Sequence, residues 1–580
     1  MIINKTACPL DCYDACEITY ENNSIKPQKE GFTQGFLCPH LNHYSHHNTI
    51  TTPRYNGKEI SMDEALDILK TILSSTYKSE ILHYRGSGNF ALMQEVTEHF
   101  FASLGATLTD GNLCDGAGEA GIIEGRGSNK NMPITEIEKS DVIIFWGRNP
   151  HTTSSHLLPL IKDKTIIVID PIKTKIAKHA DLHIQIKPHG DLYLAMLLTR
   201  FLHINDACDS DFLEEFASEF EEYYELTQSI RIKTTLEDID VTLGQIGQII
   251  EMLESKKVAI VCGVGMQKYI DGADIMRAID AFGVALGLFG KEGCGISYLG
   301  QSRANIDSPF YTKAKRVSKV NTKFDEFKTI FIQGANPLAQ MPNSSRVKSA
   351  LQRSENIIYF GLYENETSEI ANLIIPAKSF LYKEDIRTSY STNNMVKMHQ
   401  QLETDKGISE YDLSAFLCKT FEIKIQSQEE YLKHFKNFSQ ENSNGTLQVK
   451  NRETTPYQNG FDTDDGEFLF LEEFEKPDYS KEGYHLITSK NPKSLNSQFY
   501  RDDTVYLHSS LEFEENSLVT LSSEFGETIL KVSYNDDLRE DSILIYSGTK
   551  GVNNLTSSQH SYEGKNAIYQ ENRVKISQLR

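Results

Sequence analysis

Four cysteines near the start of the chain have the residue type and spacing of ligands to a metal cluster. Cys8, Cys12 and Cys16 are evenly spaced in one short segment, C-P-L-D-C-Y-D-A-C, and Cys38 follows in G-F-L-C. Thiolates are soft ligands, and four of them suit a [4Fe–4S] cluster. Such a cluster moves single electrons, so the pattern predicts a redox protein.

A structural zinc site and a set of unrelated buried thiols are the two alternatives for these cysteines. Zinc sites commonly pair their ligands as two short C-x-x-C units, which this segment lacks. Four histidines close to the fourth cysteine, His40, His43, His46 and His47, are only a weak compositional sign of a second metal. We therefore expect a small, loop-rich iron–sulfur domain over residues 1–50.

The elements that would position a site are short apolar strands alternating with helices. The predicted strands are Glu80–Tyr84, Val142–Trp146, Thr165–Ile169, Val258–Val264, Thr329–Gln333 and Ile357–Leu362, and helical patterns include Asp191–Leu202 and Asp274–Leu286. Continuous apolar strands separated by helices are typical of doubly wound parallel sheets covered on both faces. Ligands of such α/β sheets bind at the carboxyl ends of the strands.

Length and pattern divide the chain into several domains. The 580 residues exceed one hydrophobic core. We predict the cluster domain (1–50), one α/β cofactor-binding domain (51–130 with 325–425), a Rossmann-like α/β domain (131–324), an irregular connector (426–482) and a C-terminal β-barrel (483–580). The barrel follows from short strands separated by turn residues. Ser61 and Glu64 form a capping-box pattern that begins a helix.

Charge and hydropathy exclude several partners. The formal net charge is −22, so phosphates would be repelled and we expect no nucleic-acid binding. No apolar run is long enough to span a bilayer, and no basic-then-apolar signal follows Met1. The nine cysteines include the clustered four, which fits a reducing compartment better than a disulfide framework. The sequence predicts a cytoplasmic protein without direct membrane insertion.

Two segments have the character of nucleotide-binding turns. Gly86-Ser87-Gly88-Asn89-Phe90-Ala91 satisfies G-x-G-x-x-A, with Asp110 at a suitable distance for a ribose, and alone it would suggest a nicotinamide dehydrogenase. The second set follows two strands, as Gly147-Arg148-Asn149-Pro150 and Ile169-Asp170-Pro171, and continues with Thr174 and Pro188-His189-Gly190-Asp191. By spacing alone, ordinary turn chemistry is the favoured explanation of the second set, because Asn, Asp, Gly and Pro dominate turns.

The shared order of these segments resembles the molybdopterin oxidoreductases of the DMSO reductase superfamily, which includes formate dehydrogenases and nitrate reductases. The resemblance covers most of the chain. Beyond the cysteines and the turns above, it extends over Thr52-Pro53-Arg54, Gly263–Gln267, Gly287–Gly293, Gly334-Ala335-Asn336-Pro337, Glu366-Thr367, Ile375-Pro376-Ala377 and Gly551–Thr556.

The resemblance implies molybdenum or tungsten held by bis(molybdopterin guanine dinucleotide), with a [4Fe–4S] cluster nearby. Cys114, in Asn112-Leu113-Cys114-Asp115-Gly116, is similar in place to the family's metal-ligating cysteine or selenocysteine, although a buried cysteine in a glycine-rich turn is the alternative. Asp115 is then a candidate acid or base. The implied cofactor-binding residues are Gly147, Asn149, Asp170, Pro171, Thr174, Gly190, Asp191, Gly265, Met266, Asn336, Thr367 and Asn553.

Two departures from the family pattern affect the predicted chemistry. Formate dehydrogenases usually have a histidine directly after the metal ligand, where this chain has Asp115. Many members have a lysine two residues after the fourth cluster cysteine, where this chain has His40, which could still hydrogen-bond the pterin. The chain is also short for the family.

The sequence thus predicts a molybdenum or tungsten pterin enzyme that carries out two-electron redox or oxygen-atom transfer on a small substrate. Electrons would pass through the cluster to an electron-transfer protein or iron–sulfur subunit. A formate dehydrogenase-like enzyme is the alternative within the class. A non-catalytic iron–sulfur scaffold subunit is the alternative outside it, and an intact Cys114 argues against that.

Overall fold

The computed structural model describes residues 5–29, 31–42, 44, 48–88, 91–300, 302–442 and 446–579. His43, His46 and His47 lie outside this part of the chain. The N-terminal segment forms a three-stranded antiparallel sheet from Lys5–Ala7, Glu17–Glu21 and Ser24–Pro27. Cys8 directly follows the first strand, so the sheet positions the cysteine loop.

A five-stranded parallel sheet forms the centre of one α/β unit. Its strands lie in the order Leu182–Ile184, Thr165–Ile169, Val142–Trp146, Val258–Cys262 and Gly295–Ser297. The chain winds outwards in one direction from Val142–Trp146 and in the other from Val258–Cys262. The crevice between these two strands is therefore the topological switch point, where ligands of such sheets bind.

An eight-stranded sheet forms the second α/β unit. Its order is Arg316–Ser318, Thr107–Asp110, Ile81–Arg85, Thr329–Gln333, Asn356–Gly361, Leu373–Pro376, Arg54–Tyr55 and Lys58–Glu59, and the first six strands are parallel. The winding direction changes between Ile81–Arg85 and Thr329–Gln333. The protein thus has two switch points, one in each sheet.

Helices cover both parallel sheets. The longer ones are Met62–Ser75, Val96–Leu104, Gly116–Arg126, Asp191–Ile204, Phe220–Gln228, Ile232–Ile239, Leu243–Leu253, Gly272–Ala285, Ser344–Leu351 and Glu410–Thr420. Ser61 caps the first of them in a capping box with Glu64, as predicted. Asp191–Ile204 and Gly272–Ala285 are nearly all buried, which explains their lack of a polar face.

The C-terminal region is a closed six-stranded barrel, which confirms that prediction. Its strands are Tyr484–Ile487, Ser542–Leu544, Thr504–Leu507, Gly526–Tyr534, Leu518–Ser523 and Arg573–Gln578. The preceding segment 426–482 is more regular than expected. It contains the helix Gln428–Lys436 and the strands Ser439–Glu441 and Leu447–Val449, which extend an antiparallel sheet with Asp385–Thr388 and Asn394–Met398. Apolar side chains buried against this sheet override the polar composition.

A buried ion pair joins two helices of the five-stranded unit. Arg126 Nε donates to Asp280 Oδ2 at 2.7 Å, and a second guanidinium nitrogen bonds the other carboxylate oxygen. Both residues are almost fully buried, and the Arg126 guanidinium lies 4.7 Å from the Phe289 ring centroid. The guanidinium has thus lost its water, and its charge is balanced inside the protein.

Replacing one partner of this pair should be costly. We expect Asp280→Asn to lower the free energy of unfolding by about 3–5 kcal/mol, because it leaves a buried charge unbalanced. Denaturant unfolding followed by circular dichroism measures the loss. The control is Glu237→Gln, which breaks the exposed pair with Lys233 and should cost about 0–1 kcal/mol. Equal stability of the two variants would contradict the prediction.

Candidate metal and cofactor site

Cys114 lies in the loop between the strand Thr107–Asp110 and the helix Gly116–Arg126. Asn112 fixes this loop, since its Oδ1 accepts from the Cys114 amide at 2.7 Å and its Nδ2 donates to Asp115 Oδ1 at 2.6 Å. A Cβ at Gly116 would lie 2.7 Å from the Gly564 carbonyl oxygen, so the C-terminal region packs directly against the loop. Glycine is required there for close approach of the two backbones.

Gln267 clamps the same loop from the other α/β unit. Its Nε2 donates to the Cys114 carbonyl at 2.8 Å and to the Val264 carbonyl at 3.0 Å, while its Oε1 accepts from the Gly118 amide at 2.9 Å. Gln267 is fully buried. The backbone of Cys114 is therefore held by side chains from two parts of the chain, which fixes the loop that carries the thiol.

The charges around Cys114 suit a metal-bound thiolate. Burial, and secondarily Asp115, raises the pKa of the Cys114 thiol to about 12, whereas Lys268 and Lys490 act in the opposite direction. A bound metal ion deprotonates a coordinating thiol outright. Burial, with the nearby Glu119, raises the pKa of the Asp115 carboxyl to about 7.

All four N-terminal cysteines of the predicted cluster lie in the described part of the chain, and the cluster itself stays a prediction. All four are free thiols, and the Cys8 amide bonds the Cys16 carbonyl at 2.8 Å. Burial is the main cause that raises the pKa of Cys8, Cys16 and Cys38, and in each case other thiols of the four raise it further. Four soft donors therefore lie near enough to influence one another in a desolvated region, and four such donors suit a [4Fe–4S] cluster.

Cys16 has a second possible set of partners. Its Sγ lies 3.5 Å from His156 Nδ1, which lies 3.1 Å from Asp14 Oδ2, and His156 Nε2 faces the Phe36 carbonyl at 3.2 Å. One donor atom from each of Asp14, Cys16 and His156 lies within 4.8 Å of the others. Sulfur, nitrogen and oxygen donors also suit zinc, so this group keeps the zinc alternative open.

Two buried arginines lie beside the cysteines. Arg387, fully buried, donates from Nη2 to the Cys12 carbonyl at 3.3 Å and also bonds the Cys8 carbonyl. The Arg148 guanidinium lies 4.8 Å from the Tyr13 ring centroid. Burial lowers the pKa of Arg148, whereas nearby groups that include Cys12 and Cys114 raise it. These cations favour the anionic charge that metal-bound thiolates carry.

His40 is placed between the cysteine loop and the C-terminal region. Its Nε2 lies 3.0 Å from the Ser494 carbonyl and 3.3 Å from the Asn491 carbonyl. Burial lowers the pKa of the imidazole. Since carbonyl oxygens only accept, Nε2 carries the proton, and the side chain joins two segments as a neutral donor.

The first switch point brings together several predicted cofactor residues. Gly147 has φ of +60°, and a Cβ at Gly263 would lie 1.7 Å from the Gly147 carbonyl oxygen. Gly265 and Met266 follow in the same turn, and Met266 is the nearest side chain to Gly147. Asn149 caps the short helix Pro150–Thr153. The backbones of two glycine turns therefore pack directly against each other here, and open space remains only beside Gly147 and Gly265.

The neighbouring strand ends at the second group of predicted residues. Asp170 Oδ1 accepts from the Ile172 amide at 2.8 Å, and burial raises the pKa of the Asp170 carboxyl to about 7. The Thr174 hydroxyl is buried without a partner in the described chain. Pro171 has no backbone N–H to donate, and its carbonyl oxygen accepts from Gln185 Nε2 at 3.1 Å. This turn retains polar atoms available to a ligand.

Gly190 and Asp191 have structural roles in the same region. Asp191 Oδ1 accepts from the indole nitrogen of Trp146 at 2.7 Å, and Gly190 packs closely against Ile186, Lys187 and Ile239. His189 has φ of +71°, stacks on Tyr269 at 4.0 Å and lies 2.8 Å from Asp271 Oδ1. His189, which stands in one of the predicted turns, and Asp271, which the sequence did not single out, line a cavity of about 790 Å³.

The second switch point gathers the remaining predicted residues. Asn336 Oδ1 accepts from the Thr367 hydroxyl at 2.8 Å, and Asn553 Nδ2 donates to the Ala339 carbonyl at 2.7 Å. A Cβ at Gly86 would lie 2.3 Å from the Gly334 carbonyl oxygen, so this crevice also has a close glycine contact. The two switch points have the same construction.

These features fit a dinucleotide cofactor at the two crevices. Arg148 Nε and Thr174 Oγ1 are buried polar atoms without partners among the described residues. Unsatisfied buried donors are costly, and phosphate or ribose oxygens would satisfy them. Gly147, Gly265 and Gly334 have no atom closer than 3.9 Å to the position of a Cβ, and this open space suits such groups.

The G-x-G-x-x-A segment does not have the geometry of a nicotinamide site. Its described residues are followed by a 3₁₀ turn at Met93–Glu95, and the helix begins only at Val96. Gln94 donates to the Ser87 carbonyl at 2.7 Å and fills the space beside Gly88. Asn89 and Phe90 lie outside the described residues. A phosphate would need the position that Gln94 occupies.

A smaller cavity of about 390 Å³ gives access to the Cys114 loop. Asn112 and Asp115 contribute to its wall, with the remaining lining from Arg85, Ser87, Glu95, Glu119, Gly300, Ser302, Arg303, Ala304 and Tyr390. Arg85 and Arg303 both pair with Glu95. The cavity therefore reaches Asn112 and Asp115, on either side of the predicted metal ligand, and its wall contains both basic and acidic residues.

Sequence reasoning missed several residues of this site. Gln267 and Arg148 lie within segments that resemble the family, but the sequence did not indicate a role for the amide of Gln267 or the guanidinium of Arg148. His156, Lys268 and Lys490 have no local pattern, because long-range folding alone brings them to the cysteines.

The family model described as molybdopterin oxidoreductase matches residues 54–406. Since the match covers more than half of the chain, the protein belongs to the molybdopterin oxidoreductase family. The chain is a molybdopterin-dependent oxidoreductase of the DMSO reductase superfamily, as predicted. The family model supports a molybdopterin cofactor with molybdenum or tungsten.

Relatives with assigned names differ in activity. The chain is 26% identical over 449 residues to "Probable oxidoreductase YyaE" of Bacillus subtilis (71% of this chain, 67% of that protein). It is 24% identical to the "Assimilatory nitrate reductase catalytic subunit" of Bacillus subtilis (70% and 66%) and to "Formate dehydrogenase H" of Escherichia coli (66% and 63%). The chain thus spans about two thirds of the length of these relatives.

The fold has a solved counterpart. "Acetylene Hydratase from Pelobacter acetylenicus" superposes with a TM-score of 0.76 over 99% of this chain and 100% of that chain, at 15% sequence identity. This similarity confirms the multidomain α/β architecture with its C-terminal barrel. Every helix in the described ranges is too short or too polar to cross a membrane.

Proposed function

We propose that this protein is a molybdenum or tungsten bis(molybdopterin guanine dinucleotide) enzyme that carries out two-electron redox or oxygen-atom transfer, with electrons relayed through one [4Fe–4S] cluster. The observation that carries the proposal is the Cys114 loop, whose backbone is held by hydrogen bonds from Asn112 and Gln267. The Cys114 thiol and the Cys12 thiol both interact electrostatically with the buried Arg148 guanidinium. A scaffold subunit would have no need of such a positioned thiol.

Each part of the chain has a defined task in this proposal. The metal and its dithiolenes would supply the two-electron reactivity. Cys114 completes the ligand set, and the two glycine-lined crevices hold the two dinucleotides. Asp115, at the wall of the smaller cavity, is placed to hold or release a proton beside the ligand. The surrounding Tyr298 bonds the Asp115 carbonyl at 3.2 Å and keeps the loop rigid.

A formate dehydrogenase-like activity is the second candidate. The 24% identity to "Formate dehydrogenase H" favours it, whereas Asp115 in place of the expected histidine disfavours it. An activity screen with an artificial redox dye separates these activities. It measures oxidation of the reduced dye, or reduction of the oxidised dye, in the presence of formate, nitrate, sulfur oxyanions, or N- and S-oxides. We place the enzyme in the cytoplasm, with a ferredoxin-type protein or iron–sulfur subunit as its redox partner.

Elemental analysis of anaerobically purified protein tests the proposal. We expect one molybdenum or tungsten and about four iron atoms per chain, with oxidised-pterin fluorescence. Iron without pterin would support the scaffold alternative and contradict the enzyme. Zinc in place of iron would assign Asp14, Cys16 and His156 to a zinc site.

Asp170 provides a test of the first crevice. We expect Asp170→Ala to reduce the guanine nucleotide released by acid hydrolysis several-fold, because the variant removes an acceptor at the end of its strand. The control is Asp163→Ala, whose side chain is 84% exposed in the loop before the same strand. Unchanged guanine content in Asp170→Ala would remove this residue from the cofactor site.

A further inference from the structure

His156 lies against the cysteine loop, although it belongs to the five-stranded unit. It stands in the short 3₁₀ segment Ser155–Leu160, within the connection between the strands Val142–Trp146 and Thr165–Ile169. The residue is only 1% exposed, and its Nδ1 lies 3.5 Å from Cys16 Sγ. This distance is within hydrogen-bonding range for a sulfur acceptor.

Contacts with the N-terminal segment hold the imidazole of His156 in place. The ring stacks on Phe36, with the two ring centroids 4.5 Å apart, and its centroid lies 5.6 Å from that of Phe32. Gln34 Nε2 donates to the His156 carbonyl at 2.9 Å. Because both the ring and the backbone are fixed, Nδ1 has little freedom to turn away from Cys16.

Both ring nitrogens of His156 face hydrogen-bond acceptors. Nε2 lies 3.2 Å from the Phe36 carbonyl oxygen, and Nδ1 lies 3.1 Å from Asp14 Oδ2 in addition to its contact with Cys16. A carbonyl, a carboxylate and a metal-bound thiolate only accept, so both nitrogens donate. The Nδ1 proton is therefore shared between the Asp14 carboxylate and the Cys16 sulfur.

The four clustered cysteines differ in the origin of their hydrogen bonds. Burial raises the pKa of Cys8, Cys12 and Cys38, and backbone amides of their own loops act in the opposite direction by donating to the thiolates. The donor at Cys16 is a side chain from another part of the chain. A single substitution can therefore remove this donor without changing the backbone of the cysteine loop.

We propose that His156 donates a hydrogen bond from Nδ1 to the Cys16 thiolate and thereby raises the reduction potential of the [4Fe–4S] cluster. The inference rests on the proposed function and deepens it. Reduction adds one electron to the cluster, and a hydrogen bond to a ligand sulfur stabilises the added negative charge. His156 acts through Cys16, so it is a positioning residue and not a ligand.

A redox titration of the anaerobically purified holoenzyme tests this role. Sodium dithionite supplies the electrons, and electron paramagnetic resonance of the reduced cluster gives its potential. His156→Leu removes the donor, and we expect it to lower the potential by at least about 59 mV, equivalent to a tenfold change in the equilibrium constant of one-electron reduction. His156→Asn keeps an N–H near the Nδ1 position, and its potential should stay close to that of the wild type.

His83→Leu is the matched control for the loss of a buried imidazole. His83 is also 1% exposed, and it stacks on Phe101 with the ring centroids 4.5 Å apart, but it belongs to the eight-stranded sheet. This variant should keep the iron content and the cluster potential of the wild type.

An unchanged potential in His156→Leu, at the iron content of the wild type, would overturn the inference. If His156→Leu loses its iron, His156→Asn decides. Wild-type iron and potential in that variant support the hydrogen bond, whereas loss of iron or a lowered potential would overturn it and assign the ring a packing role. A wild-type protein without iron would instead contradict the proposed function, because His156 would then have no cluster to influence.

Discussion

Cys114→Ala should lower turnover by at least ~10³-fold, equivalent to about 4 kcal/mol of transition-state stabilisation. The thiolate is the protein's own ligand to the metal in the proposed site, so its removal changes both the coordination and the electron density at the reacting centre. Metal content should fall as well, although the dithiolenes remain. Dye-linked assays with the active substrate and elemental analysis measure the two effects.

The fold should survive this substitution. Cys114 is partly exposed, and its loop is held mainly through backbone atoms by Asn112 and Gln267, which the variant retains. Cys208→Ala is the matched control, since Cys208 is also a partly exposed thiol whose pKa burial raises to about 12. Full turnover together with unchanged metal content in Cys114→Ala would end the ligand hypothesis.

Cys16→Ser should remove most of the iron and abolish electron transfer to an external dye. Cys16 is almost fully buried and lies with three other thiols, so the variant takes one of four soft ligands from the cluster. Its serine oxygen is a poor replacement for a thiolate. Loss of the bound cluster also removes the stabilisation that metal binding gives to the fold, and we expect a lower unfolding temperature. Iron analysis and low-temperature electron paramagnetic resonance record the result.

Cys262→Ser separates loss of the cluster from the general cost of a buried hydroxyl. Cys262 is equally buried, in the strand Val258–Cys262, and is not one of the four clustered cysteines. This control should keep its iron and its spectrum while losing some stability. If Cys16→Ser retains the spectrum of an intact [4Fe–4S] cluster, then Cys16 is not a ligand, and its contact with His156 becomes its main role.

The two variants together test whether the cluster and the molybdenum or tungsten site have separate protein ligands. Cys114→Ala should keep the iron signal while losing turnover, and Cys16→Ser should lose the iron signal. Independent losses of this kind are expected when two redox groups have separate ligand sets. Loss of both metals in both variants would show that one site cannot fold without the other.

The sequence by itself determined the local elements and the residue types of the site. The buried strands Val142–Trp146, Thr165–Ile169 and Thr329–Gln333 have the predicted bounds, because continuous β-branched and aromatic runs leave few alternatives. The capping box at Ser61 is equally local. The cysteine pattern and the order of the glycine turns indicated the family, since each depends on residues close together in the chain.

Only the tertiary structure decided which distant residues share one place. Cys114, Gln267 and Asn566 are far apart in sequence, yet they meet where three domains pack around one loop. Lys268 and Lys490 have no periodic pattern, so their effect on the pKa of the Cys114 thiol could not be predicted. The same applies to segment 426–482, whose polar composition suggested a connector. Burial of Tyr431, Phe435 and Leu447 against an existing sheet supplies the stabilisation that local propensity lacks.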